Sequence, residues 1–274
     1  MAVTMADIQH LRKMTGAGMM DCKSALNEAE GDYDKAIEII RKKGQAVAAK
    51  REDRDAAEGC VLAATNGDFA AIVAVKCETD FVAKGEEFIG MVKKILNVAL
   101  EKKPAFMEEL TDLDVEGRKV NEVITDRIGV TGEKMELGAY EFITAPSTIS
   151  YIHPGNKLAT IVGFNQANVD LQVMKDIAMQ VAAMNPVSVD QASVPAAIVE
   201  TERKIAREKA LEQGKPENIL DKIADGAVTK FFKESTLLAQ DFVKDPKMTI
   251  ADYLKKQDKD LTVTAFKRVN LNQE

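Results

Sequence analysis

Apolar residues recur at spacings of three and four along residues 4 to 44, then shift to alternating or continuous runs after Gly59. That change of period predicts helices followed by strands. Thr4 can cap a first helix that carries Ile8, Leu11 and Met14 on one face, and Gly16 and Gly18 break it. A second helix is expected from about Asp21 to Ala29, with Cys22, Ala25, Leu26 and Ala29 inward. Gly31 ends it, and Asp32 can cap a third with Ala36, Ile37 and Ile40 inward. Gly44 is expected to close that helix. Three helices in so short a segment are marginally stable alone. The mixed-charge run Lys50 to Asp55 reads as a solvated linker, so the first unit is expected to span residues 1–50.

Cys60 to Ala64 reads as a strand, Asn66-Gly67 as a hairpin turn and Phe69 to Lys76 as a second, strongly apolar strand. A helix is expected from about Glu86 to Glu101, with Phe88, Val92, Ile95 and Ala99 inward, and Lys102-Lys103-Pro104 stops it. The same order then recurs: a strand at Ser147 to Ile152, a turn at Pro154-Gly155-Asn156, a strand at Leu158 to Phe164 and a helix from about Asp170 to Met184. Gly67 and Gly155, like Val73 and Ile161, stand 88 residues apart. Two readings are open, an internal duplication or a chance likeness of two ββα units. The expected units are 56–140 and 141–194. Residues 195–243 read as two helices joined by Gln213-Gly214-Lys215-Pro216, an antiparallel helical hairpin. Residues 244–274 are expected to return to the core, with a short helix at Thr249 to Lys256 and a strand or extended tail at Leu261 to Leu271. The fold class is therefore α+β.

Composition narrows the chemistry. With 46% hydrophobic and 30% charged residues, the 274-residue chain has an ordinary globular balance and is long enough for more than one domain. Trp is absent, so the core must be built from aliphatic residues, while 12 Met offer adaptable contact surface. A net charge of −7 repels phosphate backbones, which argues against a direct nucleic-acid partner. No apolar run is long enough for a membrane span. The N-terminus lacks a signal peptide's apolar stretch, and the cytoplasm is the expected compartment. Cys22, Cys60 and Cys77 have no metal-type spacing, and His10 and His153 are the only histidines, so buried free thiols and no metal or cofactor are expected. Gly16-Ala17-Gly18 follows no strand and no Gly-Lys-Ser/Thr triplet exists, so there is no phosphate loop. No nucleophile constellation is visible, which makes an enzyme active site improbable.

One short block stands out. Thr79-Asp80-Phe81-Val82-Ala83-Lys84 places a carboxylate and a phenyl ring side by side between an apolar strand and a helix. Such turns project side chains from a rigid scaffold. Two readings are open on local pattern. Either Phe81 and Val82 plug the core while Asp80 caps the helix, or the pair faces a partner. Met19 and Met20 at the first inter-helix turn carry the same ambiguity.

A second block, Leu11-Arg12-Lys13-Met14-Thr15-Gly16-Ala17-Gly18-Met19-Met20-Asp21-Cys22-Lys23-Ser24-Ala25-Leu26, lies near the N-terminus. Together the blocks resemble bacterial elongation factor Ts. Gly214 to Leu220 with Lys230-Phe231-Phe232, and Phe266-Lys267-Arg268-Val269, extend the resemblance in order over nearly the whole chain. The family implies a guanine-nucleotide exchange factor that binds elongation factor Tu and promotes GDP release, without covalent chemistry. It implies an N-terminal bundle of ubiquitin-associated type and a helical hairpin that serves as a homodimerisation element. It further implies partner contacts at Thr79, Asp80, Phe81 and Val82, at His153 in the second half, at Arg12, Met19, Met20 and Lys23 in the bundle, and at Val243 after the hairpin. Gly85 stands where the family more often has a polar residue, and the tail Asn270 to Glu274 lacks the family's usual acidic ending. A helical adaptor without exchange activity is the alternative.

Overall fold

The computed structural model describes residues 3–272. Three helices come first: α1 (Met5–Thr15), α2 (Met19–Glu28) and α3 (Tyr33–Ala49). Thr4 and Asp7 form a reciprocal cap on α1, and Asp32 caps α3. Leu11, Cys22, Ala25, Leu26 and Ala36 make a small separate core. Gly44 does not end α3, contrary to expectation. It is buried against Gly129, and tertiary contact carries the helix five residues further.

A strand hairpin follows, β1 (Glu58–Asn66) and β2 (Phe69–Cys77), then a single turn α4 (Asp80–Ala83) and α5 (Glu86–Lys102). A segment that the hydrophobic pattern left unread contains α6 (Met107–Asp112), the small pair β3 (Asp114–Val115) and β4 (Arg118–Lys119), α7 (Val120–Thr131) and β5 (Met135–Thr144). The second half brings β6 (Ser147–Ile152), β7 (Leu158–Phe164) and α8 (Leu171–Met184). Then come α9 (Ala196–Glu212), α10 (Glu217–Ser235), β8 (Asp241–Phe242), β9 (Asp245–Thr249), α11 (Ile250–Gln257) and β10 (Val263–Asn270).

Two three-stranded antiparallel sheets form, in the orders β1-β2-β5 and β10-β7-β6. β5 pairs with β2 from Met135 to Thr144, so the expected junction at 140/141 falls inside a strand. The sheets face each other through Val61, Ala63, Ala70, Ile72, Ala74, Ile143, Ala159 and Ile161. The opposite face of the first sheet takes α5 through Phe88, Val92 and Ile95, and that of the second takes α8 through Val173, Ile177 and Val181. The layers are thus helix, sheet, sheet, helix. This arrangement explains the unbroken apolar run of β2, where only Lys76 escapes burial: a strand covered on both faces loses its alternation. Each fully buried aliphatic or aromatic side chain contributes about 1.5–3 kcal/mol relative to exposure.

α9 and α10 pack antiparallel through Ala210, Leu220, Ala224 and Val228, with Arg203–Asp225 and Arg207–Asp221 pairs across the seam. The architecture is α+β, with N-terminal helices and small antiparallel sheets.

Candidate functional site: an exposed phenyl turn

Thr79 leaves β2 in an extended conformation and caps α4. Its N–H donates to Glu133 Oε2 at 3.0 Å and its hydroxyl donates to Glu133 Oε1 at 2.6 Å. The neighbouring Glu78 carboxylate accepts from the Lys134 N–H at 2.6 Å and from Arg54 at 2.9 Å. These bonds, the backbone one above all, hold the Glu78 carboxyl below the usual range. The turn is therefore stitched to residues 133–134 before its helix begins.

The single turn of α4 sorts its side chains. Ala83 is buried and Val82 packs half-buried on the first core. Phe81 points the other way and is 88% exposed. Of the two apolar neighbours, Val82 packs on the core and Phe81 is not a core plug. Asp80 does not cap the helix, since Thr79 does; it accepts from Lys84 Nζ at 2.6 Å, which keeps its carboxyl ionised and below its ordinary pKa. Gly85 stands at the N-cap of α5 with no side-chain cap bond, and a Cβ there would lie 3.2 Å from the Val82 carbonyl.

His153 is exposed in the β6–β7 hairpin turn. Its N–H donates to the Leu158 carbonyl at 2.8 Å, and its Nδ1 lies 2.9 Å from the Tyr151 hydroxyl. Within the second half it lies in the hairpin turn that corresponds to that of β1–β2, whereas the turn after β7 is the counterpart of α4. The facing of the two sheets nevertheless brings the segments to one edge. The Val61 N–H of β1 donates to the Asn156 carbonyl at 2.7 Å. Glu58 pairs with Lys157, and its charge also acts on Lys84.

Arg12, Met20 and Lys23 are exposed on α1 and α2, with Met20 at 75%. Met19 is half-buried on the bundle core. Arg12, Met19 and Gly16 line a depression together with Glu87 from the first turn of α5. Val243 is also exposed, with its N–H bonded to buried Gln180 at 3.0 Å. It sits on α8, in a different part of the fold. Its neighbour Phe242 is core, stacked on Tyr253 with ring centroids 4.4 Å apart.

Among the described residues no group of His, Cys, Asp or Glu could hold a metal ion, and no helix is long and apolar enough to cross a membrane. The three thiols are buried and free, and burial pushes Cys60 and Cys77 up to about 12, which leaves them inert. Glu133 was missed in the sequence because nothing local marks it: it follows the Gly132 cap of α7 and meets Thr79 only through folding.

A family model described as elongation factor TS matches residues 78–273. The chain belongs to the elongation factor Ts family. It is 66% identical over 274 residues to elongation factor Ts of Azobacteroides pseudotrichonymphae, covering all of both chains. It is 64% identical over 273 residues to that of Porphyromonas gingivalis, covering 99% of each, and 50% identical over 273 residues to that of Amoebophilus asiaticus, covering 98% and 99%. As a member of the elongation factor Ts family it is a translation elongation factor, a nucleotide-exchange factor for elongation factor Tu, and not an enzyme.

Proposed function

We propose that the Asp80–Phe81 turn is the working end of this exchange factor. The observation that carries the reading is Phe81, a phenyl ring held almost wholly in water on a turn whose flank is bonded to Glu133. A rigid exposed aromatic is the kind of anchor that dominates an interface. Phe81 wedges into an apolar pocket of elongation factor Tu, while Asp80 makes polar contacts that reposition the element supporting the partner's Mg²⁺ and phosphates. His153 joins from the neighbouring hairpin. Arg12, Met19, Met20 and Lys23 hold the partner from the N-terminal bundle, and Val243 adds a contact from the second half. Release needs no bond making. If the factor weakens nucleotide binding, nucleotide weakens factor binding by the same amount.

The finer organisation belongs to the same reading. Residues 1–50 form a bundle of ubiquitin-associated type that binds the partner. The core, residues 56–194 with 244–274 returning to it, is a duplicated unit, supported by the shared strand connectivity of the two sheets. The hairpin at 195–243 is a self-association element, supported by the outward apolar residues Ile205 and Leu211; mass measurement in solution tests it, a monomer at all concentrations ruling it out.

The experiment for exchange is release of fluorescent GDP from elongation factor Tu on mixing, followed by titration of GDP into the preformed complex. Catalytic release, with dissociation by added GDP, is the expected outcome. A complex indifferent to saturating GDP would make the chain an adaptor instead.

A further inference from the structure

One helix meets both contact regions. α7 crosses α3 where neither has a side chain: a Cβ on Gly129 would lie 2.6 Å from Gly44 Cα, and one on Gly44 would lie 3.4 Å from Gly129 Cα. Beside this crossing, Val130 of α7 sits 3.8 Å from where a Cβ on Gly16 would stand, under the α1–α2 turn. Asp126, one turn earlier, accepts two bonds from Arg118 at 3.1 and 3.0 Å, which fixes α7 on its own side of the seam. The N-terminal bundle is thus seated on α7 rather than tethered by the charged linker.

The same C-terminal end of α7 leads to the Phe81 turn. Gly132 ends α7 in the left-handed region at φ 73° and directs the chain to Glu133. That carboxylate accepts both the N–H and the hydroxyl of Thr79. Only residues 131 and 132 lie between the seat of the bundle, Gly129 and Val130, and the clamp on the turn. Arg127, two residues before Gly129, pairs with Glu87 at 2.6 Å and so ties α7 to the first turn of α5 as well.

We propose that α7 is a common mount that sets the spacing between the Arg12–Met20 surface and the Phe81 turn, with Gly129 and Glu133 as positioning residues. The inference rests on the exchange reading above. Neither residue is placed against the partner; each acts through the group it seats. A methyl on Gly129 drives α3 off α7 and displaces the bundle while the Phe81 turn stays. Loss of the Glu133 carboxylate frees Thr79 and loosens the turn while the bundle stays.

Double-mutant cycles test this, with GDP release from elongation factor Tu as the readout and the full chain throughout. In Gly129→Ala, the paired change Arg12→Ala/Met20→Ala should lose its effect, with a coupling of about five-fold or more, while Phe81→Ala should keep its own effect within about two-fold. In Glu133→Ala the pattern should invert, Phe81→Ala losing its effect and the bundle pair keeping theirs. Glu133→Gln, which retains one acceptor oxygen, should recover part of the exchange rate. A merely structural role lowers activity but leaves all cycles additive, and additivity within about two-fold in every cycle overturns the proposal. Should Gly129→Ala not fold, Gly44→Ala adds a methyl in a tight but tolerable place and must show the same coupling at smaller amplitude, or the proposal fails. A parent chain that releases no GDP would sink the exchange reading itself, which keeps the two failures distinct.

Discussion

The two halves of the core share strand order and helix placement, yet they treat the loop after the central strand in opposite ways. In the first half β2 runs into α4, and Phe81 stands 88% exposed. In the second half β7 runs into residues 165–170, and Val169, at the common 88-residue offset from Phe81, packs against the second core. The second loop is tied to the chain leading into β10: the Asn165 amide donates to the Asp260 carbonyl at 2.8 Å and accepts from the Thr262 N–H at 2.8 Å, and Gln166 donates to Asp258 at 2.9 Å. The first loop is tied at its base, Thr79 to Glu133 and Glu78 to Lys134 and Arg54. The same scaffold therefore supports one closed loop that serves stability and one open loop that presents an aromatic. Loops on a rigid frame carry function because they can diverge without disturbing it.

The largest effect expected from this comparison is on stability, and it should be the same in both halves. Ile95→Ala and Ile177→Ala remove fully buried side chains from equivalent helices, and each should cost about 2–5 kcal/mol in denaturant unfolding. Exchange per folded molecule should be unchanged in both; a selective loss of exchange in Ile95→Ala would show that the first half is not an independent frame.

Next in size is the contrast between the loops. Phe81→Ala should cost about 2 kcal/mol or more of partner binding, with unfolding almost unaltered. Val169→Ala should do the reverse, lowering stability by about 1 kcal/mol and leaving GDP release intact. If Phe81→Ala lowers the melting temperature and keeps its activity, the first loop is a closed one like the second.

The smallest effect concerns acid. Burial of Asp176 in the second half raises its carboxyl pKa, but bonds from Lys244, Tyr253 and Gln172 outweigh that and leave it below the ordinary value. Because the folded pKa is the lower one, this stabilisation is fully present above the unfolded carboxylate range near about pH 4 and is lost as pH falls through the folded value. Asp176→Asn should therefore flatten the acid limb of the stability profile. Asp80→Asn, at an exposed carboxylate bonded to a solvated lysine, should leave that limb nearly unchanged. Equal changes in the two variants would erase the distinction between a structural and a presented carboxylate.

Much of this architecture was legible before folding was considered. The helices with three-four spacing, α1, α5, α8 and α11, came within a residue or two, and β6 and β7 came at their observed bounds. The Phe81 block was visible as an oddity of residue type at a strand-to-helix turn. The chain belongs to the elongation factor Ts family. The terminal residues Gln273 and Glu274, where the tail departs from the family ending, lie outside the described residues.

What the sequence by itself determined is what short-range chemistry determines: caps, turns, the switch from helical to strand period, and the sign of the charge. What only the tertiary structure decided is long-range. Gly44 reads as a helix stop until Gly129 fills the space beside it. β5 is mostly half-buried, and its place is set by its pairing with β2. Phe81 and Val82 are equal as apolar neighbours until the first core takes one and leaves the other in water. Glu133 is one carboxylate among many until it meets Thr79, 54 positions away. Periodicity records which face of an element is apolar, but it carries no information on which distant element will cover that face.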